Sequence, residues 1–233
     1  MALHRKAEAL LSLRPDIAVI SECAEPERLQ RMGCSTWIEN DPVWVGRHSA
    51  KGVAVFTFNG YRARLSESHW PNLRYIAPVH ISGPVAFNLL AVWAQNASGG
   101  IMRKHQLGPL RRGLSRYRCF LDDGPLVLAG DFNNNAIWDR PGWRINHMAM
   151  VEILGKRELV SAYHEIRREP HDEESVPTIY WRDRTREGPT YHIDYVFLPR
   201  AWLSAVDAFE VGGFDDWCGN GLSDHVPLVI DLS

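Results

Sequence analysis

Neither sign of charge dominates this chain: 26 Lys and Arg against 28 Asp and Glu leave a formal net charge of −2. Nonspecific hold on nucleic acid comes from many Lys and Arg contacts to phosphate, so the balance gives no bulk bias toward DNA or RNA and leaves only a local basic cleft open. Cysteine is scarce. Cys23, Cys34, Cys119 and Cys218 make no CxxC pair and no zinc-finger spacing, so a disulfide framework is not expected and reduced, buried thiols in a cytoplasmic protein are. Long apolar runs are missing too, and Met1 to Arg14 carries His4, Arg5, Lys6 and Glu8, which excludes a reading as membrane span or secretory signal. No repeat or low-complexity linker divides the sequence, and nothing marks an obligate protein partner. What remains is a soluble enzyme-sized chain of 233 residues, ample for one core.

Short apolar runs are what the sequence does have. Leu3, Ala7, Leu10 and Leu11 fall on one stripe and predict a helix over 2–13, stopped by Arg14-Pro15-Asp16 ahead of a strand over 17–20. Runs at 52–58, 74–81 and 85–93, joined by turns rich in Asn, Gly and Pro, predict an antiparallel meander. A helix is expected over 102–120, interrupted at Gly108-Pro109, and another over 145–155. Strands are expected near 126–131, 178–182, 192–198, 208–211 and 226–232. Helices intermixed with two sets of strands predict a two-sheet sandwich flanked by helices.

Polar residues gather where these runs begin or end. Leu126-Val127-Leu128-Ala129-Gly130-Asp131-Phe132-Asn133 reads as a buried strand delivering Asp131 and Asn133 to a sheet edge, where an acidic oxygen beside an amide suits metal-assisted phosphate chemistry. Ser21-Glu22 follows Asp16-Ile17-Ala18-Val19-Ile20, Asp194 lies within Ile193-Asp194-Tyr195-Val196-Phe197, and Ser223-Asp224-His225 precedes Val226-Pro227-Leu228-Val229-Ile230. Alone, Glu22 reads as a carboxylate capping the next turn; with its companions it becomes a candidate ligand for Mg²⁺, which keeps several waters and needs few protein oxygens. His225 can change protonation near neutral pH, and a carboxylate such as Asp194 would fix its tautomer and stabilise its cation. The other nine histidines read as structural.

This set, in this order, resembles the endonuclease/exonuclease/phosphatase superfamily, and the resemblance runs from residue 3 to 232. It implies a four-layer α/β/β/α sandwich of two mostly antiparallel or mixed sheets flanked by helices, in a single domain over 1–233. It implies a divalent-metal-dependent phosphoesterase, foremost a phosphodiesterase or nuclease, hydrolysing P–O bonds by in-line attack of an activated water, with Mg²⁺ or Mn²⁺ as cofactor. In that frame Glu22 is the principal metal ligand and Asp224 a second metal-side carboxylate. Asp194 pairs with His225, Asp131 positions or deprotonates the water, and Asn133 meets the phosphate.

Two features depart from the family pattern. Trp93 stands where members place a His or Tyr against the phosphate; Trp93-Ala94-Gln95-Asn96 is similar to the Tyr-x-Pro-Asn segment of abasic endonucleases, which makes Asn96 a phosphate-ligand candidate, against the alternative of Trp93 as core and Asn96 as a turn residue. Members also begin with an apolar strand ending in Asn, and Met1 falls where that motif should just have ended, so the expectation is a chain truncated at its N-terminus relative to the family. Substrate grip is expected from Arg103, Lys104, Arg111, Arg112, Arg116 and Arg118, or from the loop beginning Tyr180-Trp181-Arg182, where an aromatic and a guanidinium together suit a base and its phosphate. The substrate is then a phosphate ester, DNA and RNA among the candidates. The alternatives are a phosphomonoesterase on a sugar, inositol or lipid phosphate, and a catalytically impaired binding protein on the same scaffold.

Overall fold

The computed structural model describes residues 3–95, 109–142, 146–181 and 185–233, and the chain falls into two compact units, Met1–Trp93 with Arg112–Gly130 and Ala94–Arg111 with Asp131–Ser233. It is a mixed α/β protein with several sheets. Among the described residues no helix is long and apolar enough to cross a membrane.

In the first unit, β1 (Ile17–Cys23), β2 (Val43–His48) and β3 (Lys51–Thr57) form an antiparallel sheet in the order β1-β3-β2. Strands β4 (Arg62–Leu65), β5 (Ile76–Ser82), β6 (Phe87–Trp93) and β7 (Leu126–Asp131) follow one another in a second sheet. Side chains two apart share a strand face, and the core follows that period: Val43, Val45, Val53 and Val55 from one sheet meet Ala77, Val79, Ile81, Leu89, Ala91 and Trp93 from the other. Burying each of the larger of these contributes on the order of 1.5–3 kcal/mol.

The outer faces are covered differently. Trp37, on a 3₁₀ turn at Ser35–Ile38, sets its ring edge-on to Phe56 of β3 at 4.9 Å. On β5, Ile76 lies where a Cβ on Gly113 of the helix α3 (Pro109–Arg116) would come within 2.8 Å, and the next helix, α4 (Arg118–Leu121), buries Phe120 and Leu121. The predicted N-terminal helix is instead a 3₁₀ turn at Leu3–Arg5 and a short α1 (Ala7–Leu11), with Leu3 and Leu10 buried. A helix α2 (Pro26–Arg31), begun by a proline at its first turn and followed by Gly33 at φ +82, was not legible beforehand.

The predicted meander needs correction. The 52–58 run is β3, which pairs with β1 and β2, while the meander proper is β4-β5-β6, opened by a strand that the sequence reading omitted. Six of seven β3 residues are buried, as expected of a strand with neighbours on both edges and packing on both faces. The predicted helix over 102–120 is described only from Pro109 onward, and its first part lies outside the described residues.

The second unit carries α5 (His147–Gly155), β8 (Leu159–Ser161), α6 (Ala162–Arg167), β9 (Ile179–Tyr180), β10 (Thr190–Tyr191), β11 (Asp194–Pro199), β12 (Val206–Val211) and β13 (Leu228–Leu232). β8 pairs with β11, β9 with β10 and β12 with β13, each antiparallel. Asn146 caps α5 by accepting from Ala149 N at 3.0 Å, and Asp139 accepts from His147 N and Met148 N. Phe132, Tyr195 and Phe197, all fully buried, pack their rings together at the heart of this unit.

Gly130 delivers Asp131 through a backbone that only glycine tolerates: φ is +134, and a Cβ would sit 2.0 Å from Val92 O. Gly124, at φ +85, has nothing within 4 Å of such a Cβ. Gly124→Ala should therefore cost only about 1–2 kcal/mol of backbone strain, whereas Gly130→Ala must also push β6 and β7 apart and should lose markedly more in denaturant unfolding. Equal losses would mean that the close approach at Gly130 is not needed by the fold.

Candidate active site

Thr178 begins the site. Its Oγ1 accepts from both Ile193 N (3.0 Å) and Asp194 N (3.1 Å), which pins the start of β11 and satisfies two backbone donors at once. Beside it the 223–226 segment is laced on: Val226 N donates to Thr178 O, Tyr180 N to Asp224 O, and Ile179 makes an antiparallel bridge with His225. Ser223 Oγ accepts from His225 N at 3.2 Å. The outcome is a hydrogen bond of 2.8 Å between His225 Nδ1 and Asp194 Oδ2. With a carboxylate as acceptor Nδ1–H must donate, and Nε2 is the nitrogen left for chemistry.

Both side chains are partly buried, at 27% and 18% exposure. Burial opposes a charge on His225, but the carboxylate of Asp194, its hydrogen bond, and the further carboxylates of Asp131 and Asp224 outweigh it and raise the imidazole to about 9. Three of the acidic residues read from the sequence thus act on this one histidine.

Asp131 is buried, and Phe132 N donates to Ile193 O at 2.9 Å, which ties the end of β7 to the residue before Asp194. Asn133 comes beside Asp131 as expected, though not by strand alternation: β7 ends at Asp131, and Asn133 turns back at φ +46. Its backbone N and its Nδ2 donate to the two Asp131 oxygens at 2.8 and 2.7 Å. Asn135, by contrast, is structural: it caps the turn at Ala136–Trp138 and donates to Glu174, His192 O and Tyr195 Oη.

Glu22 belongs to the first unit. It occupies a register break between Ile20 and Cys23 with φ +55, a bulge that re-aims its side chain, and its Oε2 meets Lys51 Nζ at 2.6 Å. Trp93 ends β6 with a buried ring set edge-on to Tyr75 at 4.7 Å. Asn96 and Arg182, with Arg103, Lys104 and Arg184, lie outside the described residues. Of the neighbouring basic side chains, Arg186 pairs with Asp215 and stands over the Phe214 ring at 5.1 Å.

The sequence reading missed Thr178 and Ser223 as positioning residues, since a hydroxyl that serves a backbone amide has no signature beyond its place next to a chemical residue. It also missed a group of buried histidines around Glu174. All four cysteines are free; Cys23, Cys34 and Cys218 are buried as expected, whereas Cys119 is exposed, and burial pushes the Cys23 thiol up to about 12, which makes it inert.

The chain matches no family model and no curated protein. Solved structures do match over its whole length. The 3′ phosphatase NExo from Neisseria bound to product DNA hairpin is similar at TM-score 0.68 and 18% identity, with 100% of this chain and 96% of that one covered. The AP endonuclease LMAP from Leishmania major matches at TM-score 0.65 and 13% identity, over 97% and 83%. An endonuclease/exonuclease/phosphatase from Beutenbergia cavernae matches at 0.60 and 20%, over 98% and 65%. This chain has the fold of the endonuclease/exonuclease/phosphatase structures.

A pH test follows from the pair. His225 is more basic when folded than its ordinary 6.5, so its contribution to stability is complete below about 6.5 and is lost as pH rises through about 9. In EDTA, the penalty of Asp194→Asn in denaturant unfolding should be largest near pH 6 and should shrink by about pH 10. A penalty constant over that range would show that Asp194 does not act through His225.

Proposed function

We propose that this protein is a divalent-metal-dependent phosphoesterase, foremost a phosphodiesterase or nuclease that hydrolyses P–O bonds by in-line attack of an activated water. The observation that carries the reading is the His225–Asp194 pair at 2.8 Å, with Asp131 and Asp224 acting on the same imidazole. A histidine raised to about 9 is a cation at neutral pH, and its free Nε2–H can donate to a phosphoryl oxygen as negative charge builds there. Asp194 orients it. Asp131 takes the proton of the attacking water, its carboxylate held in place by the two Asn133 donors. The Asn133 amide carries a second hydrogen, which is left for a phosphate oxygen.

Glu22 and Asp224 are the proposed holders of Mg²⁺ or Mn²⁺. The donor set fits such an ion, being hard carboxylate oxygen, and Glu22 already takes a cation, the Lys51 ammonium, on one oxygen. Lys51 must yield that oxygen, at little cost for an exposed ion pair. When bound, the metal polarises phosphoryl oxygens and stabilises the leaving oxygen. Asn96, Trp93 and Arg182 are the proposed substrate contacts; the indole offers a single donor and no acid. We read residues 1–233 as one domain of the four-layer α/β/β/α kind, with free thiols suited to a reducing cytosol.

Nucleic acid is the favoured substrate because the Neisseria structure of like fold holds a DNA product. That protein is a 3′ phosphatase, which supports a phosphomonoester at a DNA end as the second reading. The test is a screen with plasmid, abasic duplex, 3′-phosphorylated oligonucleotide and small phosphate esters, in Mg²⁺ or EDTA. Hydrolysis is expected with Mg²⁺ only, and His225→Ala or Asp131→Ala should lower kcat by about 10²–10⁴-fold while both variants remain folded by circular dichroism. Inactivity of the wild type on every substrate, or a His225→Ala variant of full activity, would overturn the reading.

A further inference from the structure

We propose that His164, His171 and Glu174 form a binding site for one transition-metal dication of the zinc class, with water completing its coordination. The ligand atoms of the three lie within 4.8 Å of one another, although His164 is on α6 and the other two are on the loop that follows. That loop is held in place. Arg168 ends α6 at φ +59, and Glu169 then gathers the turn by accepting from Tyr163 Oη (2.5 Å), Ser175 N (2.8 Å) and Ser175 Oγ (2.6 Å). Val176 N donates back to Tyr163 Oη at 3.2 Å, so the loop is closed over the helix before any ion arrives.

Each ligand is oriented by a second contact. His164 Nδ1 meets Ser161 Oγ at 2.7 Å and its Nε2 faces Glu174 Oε1 at 3.0 Å. His171 Nδ1 meets His147 Nε2 at 3.0 Å, and Asn135 Nδ2 donates to Glu174 Oε1 at 2.9 Å. His192 Nδ1 donates to Val176 O at 2.8 Å, which makes Nε2 the lone-pair nitrogen, and that Nε2 is buried without a partner. His171 and His192 each have one ring nitrogen held by the protein, as metal-binding histidines do; His164 Nε2 donates to Glu174, and to bind an ion it must give up that hydrogen, with Nδ1–H then donating to Ser161 Oγ.

Charge points the same way. The Glu174 side chain is only 4% exposed, and a buried carboxylate calls for positive charge beside it. One dication would satisfy the carboxylate and the imidazoles together. Imidazoles with one carboxylate select zinc and its neighbours, in contrast to the all-oxygen set proposed for Mg²⁺.

Binding needs one local movement. The His164 and His171 rings stack at 3.5 Å between centroids and 20° between planes, so His171, the loop residue and partly exposed, must swing until both lone pairs meet at one point. His192 stands nearly edge-on to His164 at 6.1 Å between centroids. The ion would clamp α6 to the loop that follows it.

The test uses the whole chain, stripped with chelator and titrated with Co²⁺, then Zn²⁺. One equivalent of Co²⁺ is expected to give the intense visible absorption of tetrahedral ligation, to be displaced by Zn²⁺, and Zn²⁺ should raise the melting temperature. His171→Gln and the isosteric Glu174→Gln should each weaken Co²⁺ binding by at least about 10–100-fold, with the exposed Glu67→Gln unchanged. Glu174→Gln carries the test should His171→Gln fail to fold by circular dichroism. Absence of the absorption, or Co²⁺ binding unaltered by both substitutions, overturns the proposal. These readouts do not involve hydrolysis, so they stand whether or not the protein is a phosphoesterase.

Discussion

A carboxylate and an imidazole that lie 31 residues apart in the chain meet at 2.8 Å only when two strand ends are held to within a fraction of an ångström. Asp194 and His225 are held in that way by backbone lacing rather than by each other. Thr178 carries much of it, since its hydroxyl fixes the start of β11 and its carbonyl takes Val226 N on the far side of His225. The buried rings of Phe132, Tyr195 and Phe197 then fix β11 from beneath. A pair supported in this manner does not depend on its own ion pair for its geometry.

The two cation-seeking groups of this chain follow opposite chemistry. Around His225 the carboxylates outnumber the single imidazole, and its positive charge is favoured despite burial. Around Glu174 the imidazoles outnumber the carboxylate, and burial lowers both His171 and His192. Burial enters both with the same sign, so the count of neighbouring charges decides the outcome. The first arrangement suits proton transfer and transition-state charge; the second suits lone-pair donation.

Much of the site was legible because its residues stand at the ends of apolar runs, where a strand stops and a polar side chain is delivered. Asp131, Asp194 and His225 were singled out by that rule together with the family resemblance. Asn133 was found for a partly mistaken reason, since a left-handed turn and not the pleat brings it back to Asp131. Most strands were legible from their apolar runs, but β2, β4, β8 and β10 were not: β4, β8 and β10 hold only two to four residues, and Trp44 of β2 packs across Gly46 and Gly52 in a contact no spacing announces. The meander was drawn through β3 because sequence neighbours usually pair; here β3 turns to β1 and β2 instead. The histidine group was invisible for a further reason. His147, His164, His171 and His192 come from a helix start, a second helix, a loop and the approach to β11, and only tertiary packing makes them neighbours.

The claim on which this account rests is that Asp194 holds His225 as a cation at neutral pH. An NMR titration of the imidazole resonances in EDTA, with the His225 signal assigned by its disappearance in His225→Gln, measures this directly. The account predicts a midpoint near 9 for His225, falling toward the ordinary histidine value in Asp194→Asn. A His225 midpoint at or below 6.5 in the unmodified protein would contradict it.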